Sequence, residues 1–330
     1  MNRLKNSIVN FSLSIISVAL FLILLEYAAT LLNNNINIPH ANVDIGVGGK
    51  DVLEYKRGFI KDRELFWRLD PACEQYNSLG FRNKEFSVKK DKSTFRIICM
   101  GDSVTFGSGS EFSYPTILER LLNTYFPNRN FEVLNAGVPG YTSYQGYKWL
   151  RNEIVLYEPD LVIVYYGIND AGGSFRPDKD QPLLPLFIIN AANYLRRFQL
   201  YQLLSKITLF IKYPPNKTFY PTHRVSPEDY RKNLLSMKKI AQERGFKILF
   251  ITNPVYYDPK NKIVFTRQNH GLLEKSLLQF NIFGLFKARE NQADNFFAND
   301  TYPIFFHLTQ EGARILAKAI FNALIEQGLL

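Results

Sequence analysis

Residues 97–107, Ile97-Ile98-Cys99-Met100-Gly101-Asp102-Ser103-Val104-Thr105-Phe106-Gly107, set a short apolar run directly before a glycine, an acid and a hydroxyl. An apolar run of this kind reads as a strand buried on both faces of a parallel sheet. In open α/β sheets, chemistry sits just beyond the carboxyl ends of the strands, and Ser103 falls there. A serine so placed can attack a carbonyl if a base takes its proton and backbone N–H groups receive the oxyanion. The same residues also fit a plain strand-to-helix turn in which Ser103 is a cap. The rest of the chain has to decide between the two.

Three later segments bear on that choice. Asn135-Ala136-Gly137-Val138-Pro139-Gly140 follows a second strand pattern, Phe131 to Leu134, and Gly167-Ile168-Asn169-Asp170 follows a third, Leu161 to Tyr166. His307-Leu308-Thr309 with Gln310-Glu311-Gly312 precedes a helical pattern from Ala313 to Ile325. Four blocks in this order resemble the SGNH hydrolases, also called the GDSL esterases and lipases, over residues 94 to 328. Each block alone is weak evidence, and the ordered set is what carries weight.

The resemblance implies roles for particular residues. Ser103 matches the nucleophile, and its N–H the first oxyanion donor. Gly140 matches the family's oxyanion glycine, and Asn169 the asparagine whose amide is the third donor. A neutral amide suits that task because it donates without having to be desolvated as an ion. His307 matches the general base, and imidazole is the side chain suited to proton transfer near neutrality. Read without the resemblance, Asn169-Asp170 is a turn pair, and His307 is a residue ahead of a helix capped by Thr309.

The family's usual acid position is occupied by Ile304, which can neither accept the imidazole N–H nor stabilise an imidazolium. Asp300 is the first candidate to replace it and Asp294 a more distant one. Otherwise a backbone carbonyl orients His307 and the pair works as a Ser–His dyad. An inactive site is the third alternative.

Length and composition allow one catalytic domain with an N-terminal extension: 330 residues, 46% of them hydrophobic. The net charge of +10 comes from scattered basic residues without a nucleic-acid motif, so nucleic acid is not expected as a partner. Such a surface suits anionic lipid headgroups or acidic polysaccharide. No Cys/His cluster has metal-ligand spacing, so neither a metal nor a cofactor is expected. Cys73 and Cys99 are expected to stay unpaired, Cys99 as a small buried thiol.

From Ile8 to Leu25 the chain carries no charge, and the apolar pattern continues past Glu26 to Leu32. That length suits a spanning helix better than a signal-peptide core, and Tyr27-Ala28-Ala29 is a poor cleavage site. Arg3 and Lys5 ahead of it favour a single pass with the N-terminus in the cytoplasm and the remainder outside. The expected organisation is a cytoplasmic stretch 1–7, an anchor 8–32, an extension 33–93 and a hydrolase domain 94–330. Within the extension, Trp67 and Phe81 read as core anchors.

Strands are expected at 95–100, 131–135, 161–166 and 246–252, with a weak one at 281–286. Helices are expected near 113–125, 143–157, 227–244 and 262–279, with the final one after Thr309. This alternation implies a parallel sheet with right-handed crossovers, and the resemblance implies a three-layer α/β/α arrangement of flavodoxin-like kind. Residues 171–224 break the rhythm and read as an insertion, serving as a lid or packing element, or else lying on a membrane surface. His223 reads as a surface residue, and His40 and His270 have no motif.

As to activity, the resemblance implies a serine ester hydrolase working through an acyl-enzyme on acylated carbohydrate or lipid esters. Transfer of the acyl group to a glycan hydroxyl by the same site is one alternative. A catalytically inert glycan- or partner-binding protein on the same fold is the other.

Overall fold

The computed structural model describes residues 2–35, 58–108, 110–212, 222–251, 256–257, 278–280, 296, 304–305 and 307–330. The chain divides into two compact units, Met1–Val43 with Leu184–Thr218, and Asp44–Leu183 with Phe219–Leu330.

The larger unit is built on a five-stranded sheet whose pairings are all parallel. In chain order its strands are β3 (Thr94–Gly101), β4 (Asn130–Gly137), β5 (Leu161–Tyr165), β8 (Lys247–Ile251) and β10 (Gln279–Phe280). They lie side by side as β10-β8-β5-β3-β4. Period-two alternation divides each strand between two cores. Ile97, Cys99, Val133, Leu161 and Ile163 face one, beneath the helices Tyr114–Tyr125 and Gln310–Glu326. Ile98, Met100, Leu134, Val162 and Val164 face the other, beneath Ser143–Asn152 and Pro227–Arg244. Burial on both faces is why these strands read as continuous apolar runs.

The chain passes from β3 to β4 on one side and then returns to β5 on the other side of β3. The crevice opened by such a reversal lies beyond the carboxyl ends of β3 and β5. Gly101 ends one and Tyr165 the other, opposite each other in register.

Local signals set the helix ends. Ser226 accepts the N–H of Asp229 at 3.1 Å with Pro227 at the first position, and Gly245 closes that helix in the left-handed region. Thr309 accepts from the Gly312 N–H at 3.2 Å. The helix expected over 143–157 stops at Asn152 and resumes as a tighter 3₁₀ turn, Ile154–Tyr157. The break falls at Glu153, whose carboxylate receives the guanidinium of Arg68 from the extension. Residues 258–277 and 281–295 lie outside the described residues, and with them the expected strand 281–286 and nearly all of the helix 262–279. Gln279 itself belongs to a strand, which pairs with β8.

The extension contributes a hairpin, β1 (Phe59–Asp62) with β2 (Phe66–Leu69). Leu65, Leu69, Tyr76 and Phe81 join the second core with Phe106, Tyr141 and Trp149. Phe81 is the core anchor expected of it, whereas Trp67 is only half-buried. Both cysteines are free.

In the smaller unit, helix α1 (Asn2–Asn35) contains Asn10–Asn33, 24 residues long and apolar enough to cross a membrane. A signal sequence would pass the same test. The insertion supplies the helices Leu186–Leu195 and Gln199–Lys212. The Glu26 carboxylate accepts the backbone N–H groups of Gln199 and Leu200, the latter at 3.0 Å, satisfying donors that the first turn of a helix leaves open. Lys206 Nζ donates to Asn33 Oδ1 at 2.9 Å. The second of these helices therefore packs beside the end of α1.

Gly137 ends β4 where a Cβ would meet the backbone N of Phe106 at 2.1 Å and the carbonyl carbon of Thr105 at 2.6 Å. Only a glycine lets the Ser103 helix lie flush on the end of β4. Gly137→Ala should therefore destabilise the fold by about 3 kcal/mol or more, the upper end of ordinary overpacking. Urea denaturation gives the value, and a loss below about 1 kcal/mol would contradict the close approach.

Candidate active site

Ser103 begins a one-turn helix, Ser103–Phe106, directly after β3. Asp102 caps it, with Oδ1 accepting the Val104 N–H at 2.9 Å, and Gly107 ends it at φ +94°. The Gly107 N–H returns to the Ser103 carbonyl at 3.0 Å. Far along the chain, His307 precedes the Thr309 cap and is buried. Its Nε2 lies 2.8 Å from Ser103 Oγ. The capping reading of that segment holds, since Thr309 starts the helix and His307 sits ahead of it.

Ser103 is 3% exposed, so it is a buried hydroxyl rather than the surface one that a strand-end turn suggests. A serine and an imidazole at this separation can pass a proton from Oγ to Nε2 as Oγ attacks. The short strand just before His307, Ile304–Phe305, pairs antiparallel with Tyr256–Tyr257, on the segment following β8. Asp300 and Asp294 lie outside the described residues, so the expectation of a replacement acid is not addressed by the geometry.

Asn169 follows β5 and is buried. Its amide donates to the Tyr141 carbonyl at 3.1 Å and to Asp102 Oδ2 at 3.3 Å. Asp102 thus holds the Ser103 turn with one oxygen and Asn169 with the other. Gly140 sits in the left-handed region at φ +80°, where other residues would be strained. Near the end of β4, Asn135 Oδ1 accepts the Gly137 N–H at 2.9 Å, and its amide reaches Ser113 Oγ at 3.0 Å.

Asp170, next to Asn169, receives the backbone N–H of Ser143 at 3.0 Å and also the Ser143 hydroxyl. Asn233 Nδ2 in turn donates to Ser143 Oγ at 2.9 Å. Burial pushes both Asp102 and Asp170 up to about 7, against the opposing pull of His307 and the Val104 N–H on Asp102, and of Ser143 and Arg224 on Asp170. Arg224, the last residue of the insertion, is buried and makes a fork with Asp178 at 3.1 and 3.0 Å. His223 is exposed, as expected, and its Nδ1 lies 2.9 Å from the Ala171 carbonyl.

The structure therefore brings Ser103 and His307 into contact, and Asn169 joins them through Asp102. Sequence reasoning had no role for Asp102, Asp170, Asp178 or Arg224. The first two were visible as neighbours of assigned residues. Nothing in the chain order links Arg224 to Gly140. Among the described residues no group of His, Cys, Asp and Glu could hold a metal ion.

A carboxyl raised to about 7 in the fold and ordinary at about 3.9 when unfolded favours the folded state while protonated. That contribution is full below about pH 4 and is lost as pH rises to about 7. Asp170→Asn removes one of two such groups while keeping an acceptor for Ser143. Its unfolding free energy should fall less steeply between pH 4 and 7 than that of the wild type. Denaturant titrations at both ends of the window decide it, and equal slopes would contradict the burial argument.

Similar proteins are found among the solved structures and through one family model. In the solved structures, similarity is found to the lipase/acylhydrolase from Enterococcus faecalis, at 20% identity and TM-score 0.44, covering 71% of this chain and 96% of that one. It is also found to an acetylxylan esterase from Geobacillus stearothermophilus, at 17% identity and TM-score 0.44, covering 69% and 93%. A third is a two-domain esterase active on acetylated mannans, at 19% identity and TM-score 0.44, covering 71% and 49%. The curated proteins give no match. The family model of the GDSL-like lipases and acylhydrolases matches residues 99–315, a span that holds Ser103, Gly140, Asn169 and His307. By that match, which takes in well over half its length, the chain belongs to the GDSL-like lipase/acylhydrolase family.

Proposed function

We propose that this esterase-family chain is a serine ester hydrolase in which Ser103 attacks the acyl carbonyl and His307 takes its proton. The 2.8 Å approach of His307 Nε2 to Ser103 Oγ is the observation that supports this most directly. The tetrahedral oxyanion is received by the N–H groups of Ser103 and Gly140 and by the Asn169 amide. Because that amide already donates to Tyr141 and to Asp102, it shares a proton with the oxyanion, and the longer bond to Asp102 is the easier to share. Collapse expels the alcohol, which takes the proton from His307. Water then attacks the acyl-enzyme with His307 as base again, releasing the acid and Ser103.

Acylated carbohydrate is the substrate class to test first, being what the mannan and xylan esterases named above act on; lipid esters come second. Acyl transfer to a glycan hydroxyl differs only in what attacks the acyl-enzyme, so product analysis separates free acid from acylated acceptor.

The anchoring proposal is that α1 crosses the membrane once, with the catalytic unit outside. The uncharged run Ile8–Leu25 is about 27 Å long as a helix, close to the thickness of a bilayer's apolar core. It stops at Glu26, the residue that receives the insertion helix Gln199–Lys212. That helix then starts where the uncharged run ends, and within the insertion Leu186 and Phe187 are 57% and 73% exposed and Arg197 is exposed as well. Exposed apolar side chains with a basic residue in the same segment suit contact with a membrane interface. The chain should remain in the membrane pellet after alkaline carbonate, and release into the supernatant would contradict the anchor.

Ser103→Ala should abolish turnover of a short p-nitrophenyl ester and block labelling by a fluorophosphonate; residual turnover at the wild-type rate would remove the proposal. Asn169→Ala should lower kcat by roughly 10²–10³ with little change in KM, since its donor acts on charge present only in the transition state. An effect on KM alone would make Asn169 a substrate-binding residue. Asp300→Asn should cost several orders of magnitude in kcat if Asp300 orients His307, and a silent variant would instead leave a Ser–His dyad.

A further inference from the structure

Three successive carbonyls of the loop carrying Gly140 each accept a side-chain donor from a different part of the larger unit. The Trp67 indole N–H donates to the Pro139 carbonyl at 3.1 Å. Arg224 Nη1 donates to the Gly140 carbonyl at 2.7 Å. Asn169 Nδ2 donates to the Tyr141 carbonyl at 3.1 Å. Among these, Trp67 comes from the extension, ahead of the residues that the family model matches.

The Trp67 bond matters because of peptide geometry. The Pro139 carbonyl and the Gly140 N–H belong to one planar unit and, in a trans peptide, point in opposite directions. A donor that fixes the carbonyl therefore fixes the direction of the N–H. At φ +80°, Gly140 has no side chain to restrain either flanking peptide, so rotation there is resisted only by what its neighbours hold. Arg224 holds the peptide on the far side of the same Cα. Its own direction is set by the fork to Asp178, which also receives the Thr142 hydroxyl at 2.8 Å. The hairpin is tied back reciprocally, since the Tyr141 hydroxyl donates to the Trp67 carbonyl at 2.6 Å and the two rings meet edge to face at 5.6 Å. The Arg224 guanidinium lies over the indole at 5.6 Å.

We infer that Trp67 and Arg224 are positioning residues for the oxyanion hole, aiming the Gly140 N–H by pinning the peptide groups on either side of it. Neither touches substrate. The inference rests on the reading of Ser103 as nucleophile and Gly140 as oxyanion donor, and it deepens that reading. The N-terminal extension is then part of the catalytic apparatus.

The test is Trp67→Phe in the full chain, which keeps a ring in place and removes the one donor, with Arg224→Lys as a second variant that keeps the charge and loses the fork. Turnover of p-nitrophenyl acetate is measured beside inhibition by a trifluoromethyl ketone, whose adduct with a serine carries the oxyanion. Trp67→Phe should lower kcat roughly 10- to 100-fold with KM within about twofold, and weaken the ketone by a similar factor. Arg224→Lys should show the same paired loss. A structural role alone would lower the melting temperature and leave the ketone affinity of the folded fraction unchanged, and that result overturns the inference. So does an undiminished kcat in Trp67→Phe when the wild type is active and Ser103→Ala is inert. A wild-type chain inert to both the ester and a fluorophosphonate would instead overturn the underlying reading, and this inference with it.

Discussion

The carboxylate of Asp102 is the joint on which the site turns. One oxygen caps the short helix that presents Ser103, and the other accepts the amide of Asn169 from the next strand over. A short helix of one turn has almost no stability of its own, because nucleation is costly and few bonds repay it. It persists here because Asp102 caps it and Gly137 lets it rest directly on the end of β4. The sheet supplies the rest of the frame: β3 and β5 are neighbours in register, so the residues following Gly101 and Tyr165 emerge side by side. The Val104 N–H and the amide of Asn169, which lies 67 positions beyond Asp102, then share one carboxylate.

Much of this was legible in the chain. The strands around Ile97, Val133 and Val162 are buried on both faces, so their apolar runs survive without helical periodicity to confuse them. Ser226-Pro227 and Gly245 mark helix ends by local chemistry that needs no tertiary information. The contact of Ser103 with His307 was legible only through the order of the motif blocks, since 204 positions separate them. What stayed hidden shares one cause. Trp67 and Arg224 act through single hydrogen bonds to backbone carbonyls, and a carbonyl has no sequence signature. The tryptophan's apolar area pointed to packing, while its lone polar atom decides its use. The pairing of the Glu153 carboxylate with an arginine 85 positions away is likewise tertiary and left no local signal.

The insertion shows how little a local reading can distinguish. Its Leu, Ile and Phe content interspersed with basic residues suited a lid, a packing helix and a membrane-surface helix alike. In the smaller unit the Glu26 carboxylate accepts the first N–H groups of Gln199–Lys212, a use for a charge that would be costly within an apolar span. At the start of a helix the open N–H groups offer that charge both hydrogen bonds and a favourable dipole. The acid that ends the uncharged run is the residue that joins the run to the insertion.

Charge around the loop carrying Gly140 is arranged on the same economical lines. Asn169 donates without a formal charge, and burial disfavours ionisation of both Asp102 and Asp170. Arg224 is the exception, a cation 3% exposed beside the glycine expected to receive negative charge. Left unpaired it would be expensive to bury, and it would attract any anion entering the site, substrate and transition state alike. Pairing with Asp178 through both nitrogens cancels that long-range pull. What remains is a rigid planar fork with one nitrogen left to hold the Gly140 carbonyl. The pair acts as a geometrical device, and a neutral donor such as the Asn169 amide is of the kind whose hold strengthens as charge develops.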